Sequence, residues 1–273
     1  MRLAAAFFSQ NNIELILNTS ANDYAGKVFK LCKAKKIPYA DYDKAFFFIT
    51  DFRGFLISTL RKLGSGSMLA SIGGSVLAPV IKLESMLRRR RPLRQKNTYE
   101  INILEPNSVS EEFDEFWQRT LSMRSNCLLS ERSSEILRWH FGNSTACTRQ
   151  AKIICAWQNK KLVGYLVLTR EDSERFGLKR SHIADIIVEN DEPTLIDALM
   201  FAAYEQACMN GSYMLEIIGF PTQIRDRLIC GNAFKRQLSS WQYWYKAVTQ
   251  DMQDSLISQD VWYGSSYDGD ASL

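Results

Sequence analysis

The sequence predicts a mixed α/β protein: a mixed sheet flanked by helices, accompanied by a partial second copy of the same arrangement at the N-terminus. Three observations predict it. Short apolar runs of the strand type (ELIL at 14–17, IADIIV at 183–188, MLEII at 214–218) alternate with segments whose apolar residues recur every three or four positions. Asn159-Lys160-Lys161 separates two strand-like runs at hairpin spacing. Residues 2–50 also repeat, in order, the elements of 197–247.

The elements follow from the pattern. Residues 2–10 read as the end of an amphipathic helix, and 14–17 as a buried strand. Ser20 or Asn22 can cap the next helix, about 21–35, which sets Ala25, Val28, Phe29 and Cys32 on one face. Its lysines gather on the other face and toward its C-terminus, where the helix dipole favours them, and Pro38 closes it. AFFFIT at 45–50 is an aromatic strand, and a short helix follows over 51–63. The glycine- and serine-rich stretch 64–74 has the composition of a flexible joint. A helix from Ser75 to Met86, with Pro79 in its first turn, runs into Arg88-Arg89-Arg90-Arg91.

After a boundary near 92–98 come a strand near 99–104, helices at 110–123 and 130–141, and strands at 152–158, 162–169 and 183–188. Pro193 opens a long helix to about 209. A strand at 214–218, a helix at 221–231 and a strand at 240–248 complete the pattern, with Tyr243, Trp244 and Tyr245 packing that last strand. This divides the chain into 1–63, a joint and basic helix over 64–97, and 98–273. The first copy starts inside its own helix, so it reads as the closing part of a unit whose opening elements are missing.

The chain of 273 residues is 46% hydrophobic, enough to bury a core without staples. The six cysteines form no C-x-x-C pair and lie far in sequence from His140 and His182, so no metal site is expected. They read as buried free thiols of a reducing compartment, which predicts a cytoplasmic location. His140 reads as a core histidine. The charge is asymmetric: residues 1–97 carry 17 Lys/Arg against 6 Asp/Glu, net +11, and residues 98–273 carry 17 against 24, net −7. No nucleic-acid motif accompanies the basic half. Arg88–Arg91 are expected at the surface, facing either the acidic half or an anionic lipid surface. G-x-S-x-G, Walker and H-E-x-x-H motifs are absent, which argues against common hydrolase, nucleotide and zincin chemistries.

The run from Tyr99 to Lys246, with IADIIV leading into the long helix, resembles the GNAT (N-acetyltransferase) fold; LILNTSANDYAGKVF and DYDKAFFFITDFRGF resemble the closing half of a second, tandem GNAT-like domain. The resemblance implies acyl-CoA as co-substrate and N-acyl transfer to an amine, with a role in envelope polysaccharide metabolism and a carbohydrate-precursor substrate among the implications. A non-catalytic GNAT-like binding protein and a Fem-type aminoacyl-tRNA-dependent ligase relative stand beside that reading.

The resemblance also places the sites. A strand bulge exposes backbone groups to pantetheine, and a Q/R-x-x-G-x-G/A loop wraps the pyrophosphate, with the N-terminus of the following helix facing it. Glu189-Asn190-Asp191-Glu192-Pro193 occupies that loop, with three carboxylates and no glycine. Asn22, Ala25 and Phe29 match N-x-x-A-x-x-x-Y except that Phe29 has no hydroxyl to return a proton; Asn22 and Ser20 are the candidate cofactor contacts. Asp185, an acid within IADIIV, is the candidate general base or else a buried acid bonded to a neighbour such as His182. The splay of the fourth and fifth strands is the expected cleft, with strands 153–157, 163–168, 183–188, 214–218 and 241–247 in one sheet.

Overall fold

The computed structural model describes residues 13–95, 98–142, 150–238 and 241–268. The helix expected at 2–10 lies outside them. The first copy comprises β1 (Leu15–Ala21), α1 (Asp23–Leu31), β2 (Lys35–Lys36) and β3 (Lys44–Ile49). A helical hairpin follows, α2 (Phe52–Lys62) and α3 (Ser67–Leu87). The second copy runs β4 (Glu100–Leu104), α4 (Glu111–Met123), α5 (Ser134–Gly142), β5 (Ala151–Gln158), β6 (Lys161–Arg170), β7 (Arg180–Val188), α6 (Pro193–Met209), β8 (Met214–Ile218), α7 (Thr222–Cys230), β9 (Phe234–Gln237) and β10 (Gln242–Ala247), and α8 (Gln250–Ser255) follows it.

The repeat is present: β1-α1-β2-β3 has the same order as β8-α7-β9-β10. The last strand of each copy, however, crosses to the other. β3 lies between β8 and β9 in a seven-stranded sheet of order β4-β5-β6-β7-β8-β3-β9, and β10 lies between β1 and β2 in a three-stranded sheet. The expectation that 241–247 share the main sheet is therefore corrected. That position is filled by 44–49, running antiparallel to β8 with Phe47 opposite Glu216. Each copy offers an equivalent slot, and each aromatic strand fits the slot of the other. Neither 1–63 nor 98–273 closes its own sheet, because strands cross the expected boundary in both directions.

Burial explains the layers. β3 is buried along most of its length and so needs a central position, whereas β9 exposes Lys235, Arg236 and Gln237 and makes an edge. The hairpin between β5 and β6 turns at Asn159 and Lys160, both at positive φ, as a two-residue turn of the twisted-hairpin type requires. One core lies between the sheet and α6, around Leu195, Leu199 and Ala203; the other lies on the opposite face against α4 and α5, around Phe113, Phe116 and Leu137. Tyr243 and Tyr245 pack a third cluster with Tyr42 and Trp262, while Trp244 faces a fourth with Ile16 and Ala34. The glycine-rich stretch expected as a joint is mostly helix: α3 begins at Ser67 and runs through Pro79. Among the described cysteines only Cys155 is buried; Cys32 and Cys127 are half-buried, and Cys208 and Cys230 are exposed, so the expectation of buried thiols holds for one. Cys147 lies outside the described residues.

A buried carboxylate ties β8 to β7 and, across the exchanged β3, to β9. Glu216 of β8 is fully buried and accepts from Arg180 Nη1 of β7 at 2.8 Å and Arg236 Nη2 of β9 at 2.5 Å. Burial opposes its charge, but the two guanidiniums outweigh burial and hold the carboxyl below its ordinary value. A carboxyl held low in the folded chain contributes stability that is fully present above its unfolded pKa of about 4.3. That contribution is lost as pH falls through the lower folded value. Glu216→Gln is expected to cost about 1–3 kcal/mol at neutral pH. The gap from the parent should shrink as pH drops below about 4, read from urea midpoints.

Candidate cofactor cleft

β7 and β8 pair in parallel only from Arg180 with Met214 to Ile183 with Ile217, while β7 continues to Val188. The two strands therefore splay, as expected. The β6–β7 register also slips: Val167 faces Asp185 and Leu168 faces Ile183, which leaves Ala184 as the extra residue of a bulge. A bulge sets two successive side chains toward one face. Here Ala184 packs in the cluster with Tyr165, Tyr263 and Tyr267, and Asp185 reaches Arg132 on the same side.

The β7 side of the splay is covered by the chain itself. Residues 262–268 run along β7, entering through a parallel bridge between Leu128 and Trp262. Tyr263 Oη donates to Ile186 O at 2.6 Å, and Ser266 Oγ donates to Ala184 O at 2.8 Å. Tyr267 Oη donates to Glu131 O at 2.8 Å. Ser265, Ser266, Tyr263 and Tyr267 are all buried. Backbone groups bared by the bulge thus have partners within the same chain, as buried carbonyls require.

Asp185 sits at the centre of this closure. Arg132 Nε donates to its Oδ2 at 2.9 Å and Arg132 Nη2 to its Oδ1 at 3.3 Å, with both side chains fully buried. Arg132 Nη1 also donates to Ser130 O at 2.7 Å, and Asp268 lies 3.8 Å from Nη2. Burial opposes the charge on Arg132, but Asp185 and Asp268 outweigh it and hold the guanidinium above its ordinary value. Burial pushes the Asp268 carboxyl up, against the pull of Arg132. The candidate base is thus fully buried in an ion pair with Arg132, with the Tyr165 and Ser265 hydroxyls beside it.

The loop after β7 is likewise engaged. Glu189 pairs with Arg119 at 3.3 Å and Lys161 at 2.9 Å, Asp191 pairs with Arg124 at 2.5 Å, and Glu192 accepts from Thr194 N at the start of α6. Beside it a cavity of 380 Å³ opens between Arg124, Cys127, Asp191, Gln223 and Asp260. Burial raises the Cys127 thiol, so it is a weak nucleophile at neutral pH. Asn22 caps α1, accepting from Ala25 N at 2.9 Å, and Ser20 is a residue of β1 rather than of the turn. Both belong to the first copy, whose β1 lies in the three-stranded sheet rather than beside β7 and β8. Phe29 packs edge-on against Trp244. No group of three or more His, Cys, Asp or Glu that could hold a metal occurs among the described residues. Sequence reasoning missed Arg132, which falls within the helix expected over 130–141 but precedes the observed one, which begins at Ser134, and it missed the tail, whose Trp262, Tyr263 and Tyr267 were the available signal of burial.

No family model matches the chain, and no curated protein matches it. Solved structures do. A probable N-acyltransferase from Enterococcus faecalis aligns with 90% of this chain and 48% of its own, at 10% identity and TM-score 0.50. A GCN5-related N-acetyltransferase from Anabaena variabilis aligns with 91% of this chain and 49% of its own, at 9% identity and TM-score 0.49. A tandem GNAT protein from the clavulanic acid biosynthesis pathway aligns with 86% of this chain and 64% of its own, at 9% identity and TM-score 0.42. The chain spans about half the length of the first two. With the splayed strands, the bulge and the repeated closing elements, the first of these likenesses shows the fold alone: this chain has a GNAT-like fold, with the closing elements of that fold present twice.

Proposed function

We propose that this chain is a non-catalytic member of the GNAT-like group, acting as a binding or scaffold protein rather than by transferring an acyl group from acyl-CoA. One observation carries the reading: residues 262–268 run along β7 beside the splay and cap the β7 carbonyls that pantetheine would meet. The neighbouring loop supports it. Anion binding at a helix start needs free amides and no opposing charge, but here Pro193 donates nothing and Glu189 and Asp191 are already bound to cations. Thermal unfolding in acetyl-CoA tests the reading. A ligand that binds the folded state at a hundred times its Kd adds about 2.7 kcal/mol; millimolar acetyl-CoA is expected to leave the midpoint unchanged, and a rise of several degrees would refute the proposal.

A second reading is favoured by the bulge at Ala184, which keeps the backbone shape that suits an acyl-CoA. In that reading residues 262–268 leave the splay before N-acyl transfer to an amine, with a carbohydrate precursor of the cell envelope as one such substrate. Product formation from acetyl-CoA and an amine acceptor distinguishes the two.

A further inference from the structure

Helix α3 is built inside out. It buries Ala70, Gly74 and Ser85, and it exposes Met68, Leu69, Ile72, Val76, Leu77, Val80, Leu83, Met86 and Leu87. The small residues face α2: a side chain at Gly74 would collide with Ile57 at 2.5 Å, and one at Gly73 would meet Leu60 at 3.0 Å. The helix of a water-soluble surface does the reverse, keeping large apolar side chains inside. An apolar stripe this long on an exposed face marks an interaction surface. The first 15 residues of α3 carry no charge, and its length and composition suit a bilayer.

Charge identifies the occupant. Arg88–Arg91 follow the helix directly. A groove of 850 Å³ at that end is lined by Arg53, Lys82, Arg89, Arg90 and Arg91, with Asp51 as the one carboxylate. Asp51 is occupied as the N-cap of α2, accepting from Arg53 N at 3.0 Å. Arg90 is held structurally: it stacks over Phe234 at 4.2 Å, pairs with Glu84 and donates to Asn232 O. Arg89 and Arg91 are exposed. An apolar helix face ending in a cluster of cations is complementary to a bilayer with anionic headgroups. Because α3 is fastened along α2, whose Gly54 packs against Tyr213 of the main body, it can lie in a membrane surface without leaving the fold.

We propose that α3 docks this protein onto a bilayer of anionic phospholipid, with its apolar face among the acyl chains and Arg89 and Arg91 at the headgroup phosphates. The test is cosedimentation of the full chain with vesicles of phosphatidylcholine alone and of phosphatidylcholine mixed with phosphatidylglycerol. Binding is expected to require phosphatidylglycerol and to weaken with salt. Each surface cation contributes about fivefold, so Arg89→Gln with Arg91→Gln should weaken partitioning on the order of 30-fold. Ile72→Ser, Val76→Ser and Val80→Ser together should reduce binding to background; these positions are exposed, so the unfolding midpoint should hold and exclude misfolding as the cause. Failure to bind anionic vesicles, equal binding to neutral ones, or binding unchanged in either variant would overturn the proposal. So would a vesicle-independent dimer that the triple serine variant dissociates, since it would assign the face to a second copy of the chain.

Discussion

Replacing Arg132 with alanine is expected to lower the free energy of unfolding by about 3–5 kcal/mol, among the largest effects of any single change in this protein. The guanidinium is fully buried between Asp185 and Asp268, and it also satisfies Ser130 O. Its removal strands two carboxylates in a site where water cannot replace it. Exchanging the closer pair for apolar side chains of similar volume, Arg132→Met with Asp185→Leu, should recover part of the loss, because Asp185 is then no longer stranded and Asp268 alone loses its cation. Denaturant melts of the three proteins check this. A loss below about 1 kcal/mol for Arg132→Ala would mean that the pair is exposed to solvent and the splay is open.

Loss of the tail should cost still more. Trp262 and Tyr263 are nearly fully buried and Tyr267 is little more exposed; Trp262 packs on Tyr243 and Tyr245 at centroid distances of 5.8 and 5.0 Å. Truncating a buried aromatic to alanine costs about 3–5 kcal/mol, so Trp262→Ala alone should halve a stability of ordinary size. A chain ending at Val261 would lose all three aromatics and the caps on β7. It is expected to lose cooperative unfolding and to bind a dye for exposed apolar surface. Calorimetric unfolding of the point variant and the truncation reads both effects. If the truncated chain instead stays cooperative and gains affinity for acetyl-CoA, the tail is a displaceable strap and the second functional reading is correct.

Much of this architecture was legible because its signals are local. IADIIV and MLEII are apolar runs with one acid each, and their burial follows from that composition. The strand exchange was not legible. β3 and β10 are both short aromatic strands that end the same series of elements, and each fits the same slot, so only tertiary packing selects which copy each enters. α3 was read too short because GSGSMLASIGG has the composition of a joint; here its small residues serve close helix packing instead. At the candidate site, the identity of Asp185 as an acid on a buried strand is plain, but its role depends on Arg132, which lies 53 residues away, in sequence expected to belong to a helix over 130–141. The bulge that turns Ala184 and Asp185 to one side is a matter of register, which composition does not encode.

Coverage of β7 by residues 262–268 is tested most directly by amide hydrogen exchange of that segment. Tyr263 N donates to Leu128 O at 3.1 Å, Ser265 N to Asp268 Oδ2 at 2.7 Å, and Tyr267 N to Ser265 Oγ at 3.2 Å, all within a buried segment. Buried, bonded amides exchange only when their unit opens. These three are expected to exchange as slowly as the amides of β7, with the same denaturant dependence. Exchange at the rate of an exposed loop, while β7 stays protected, would place the segment outside the splay and contradict the account.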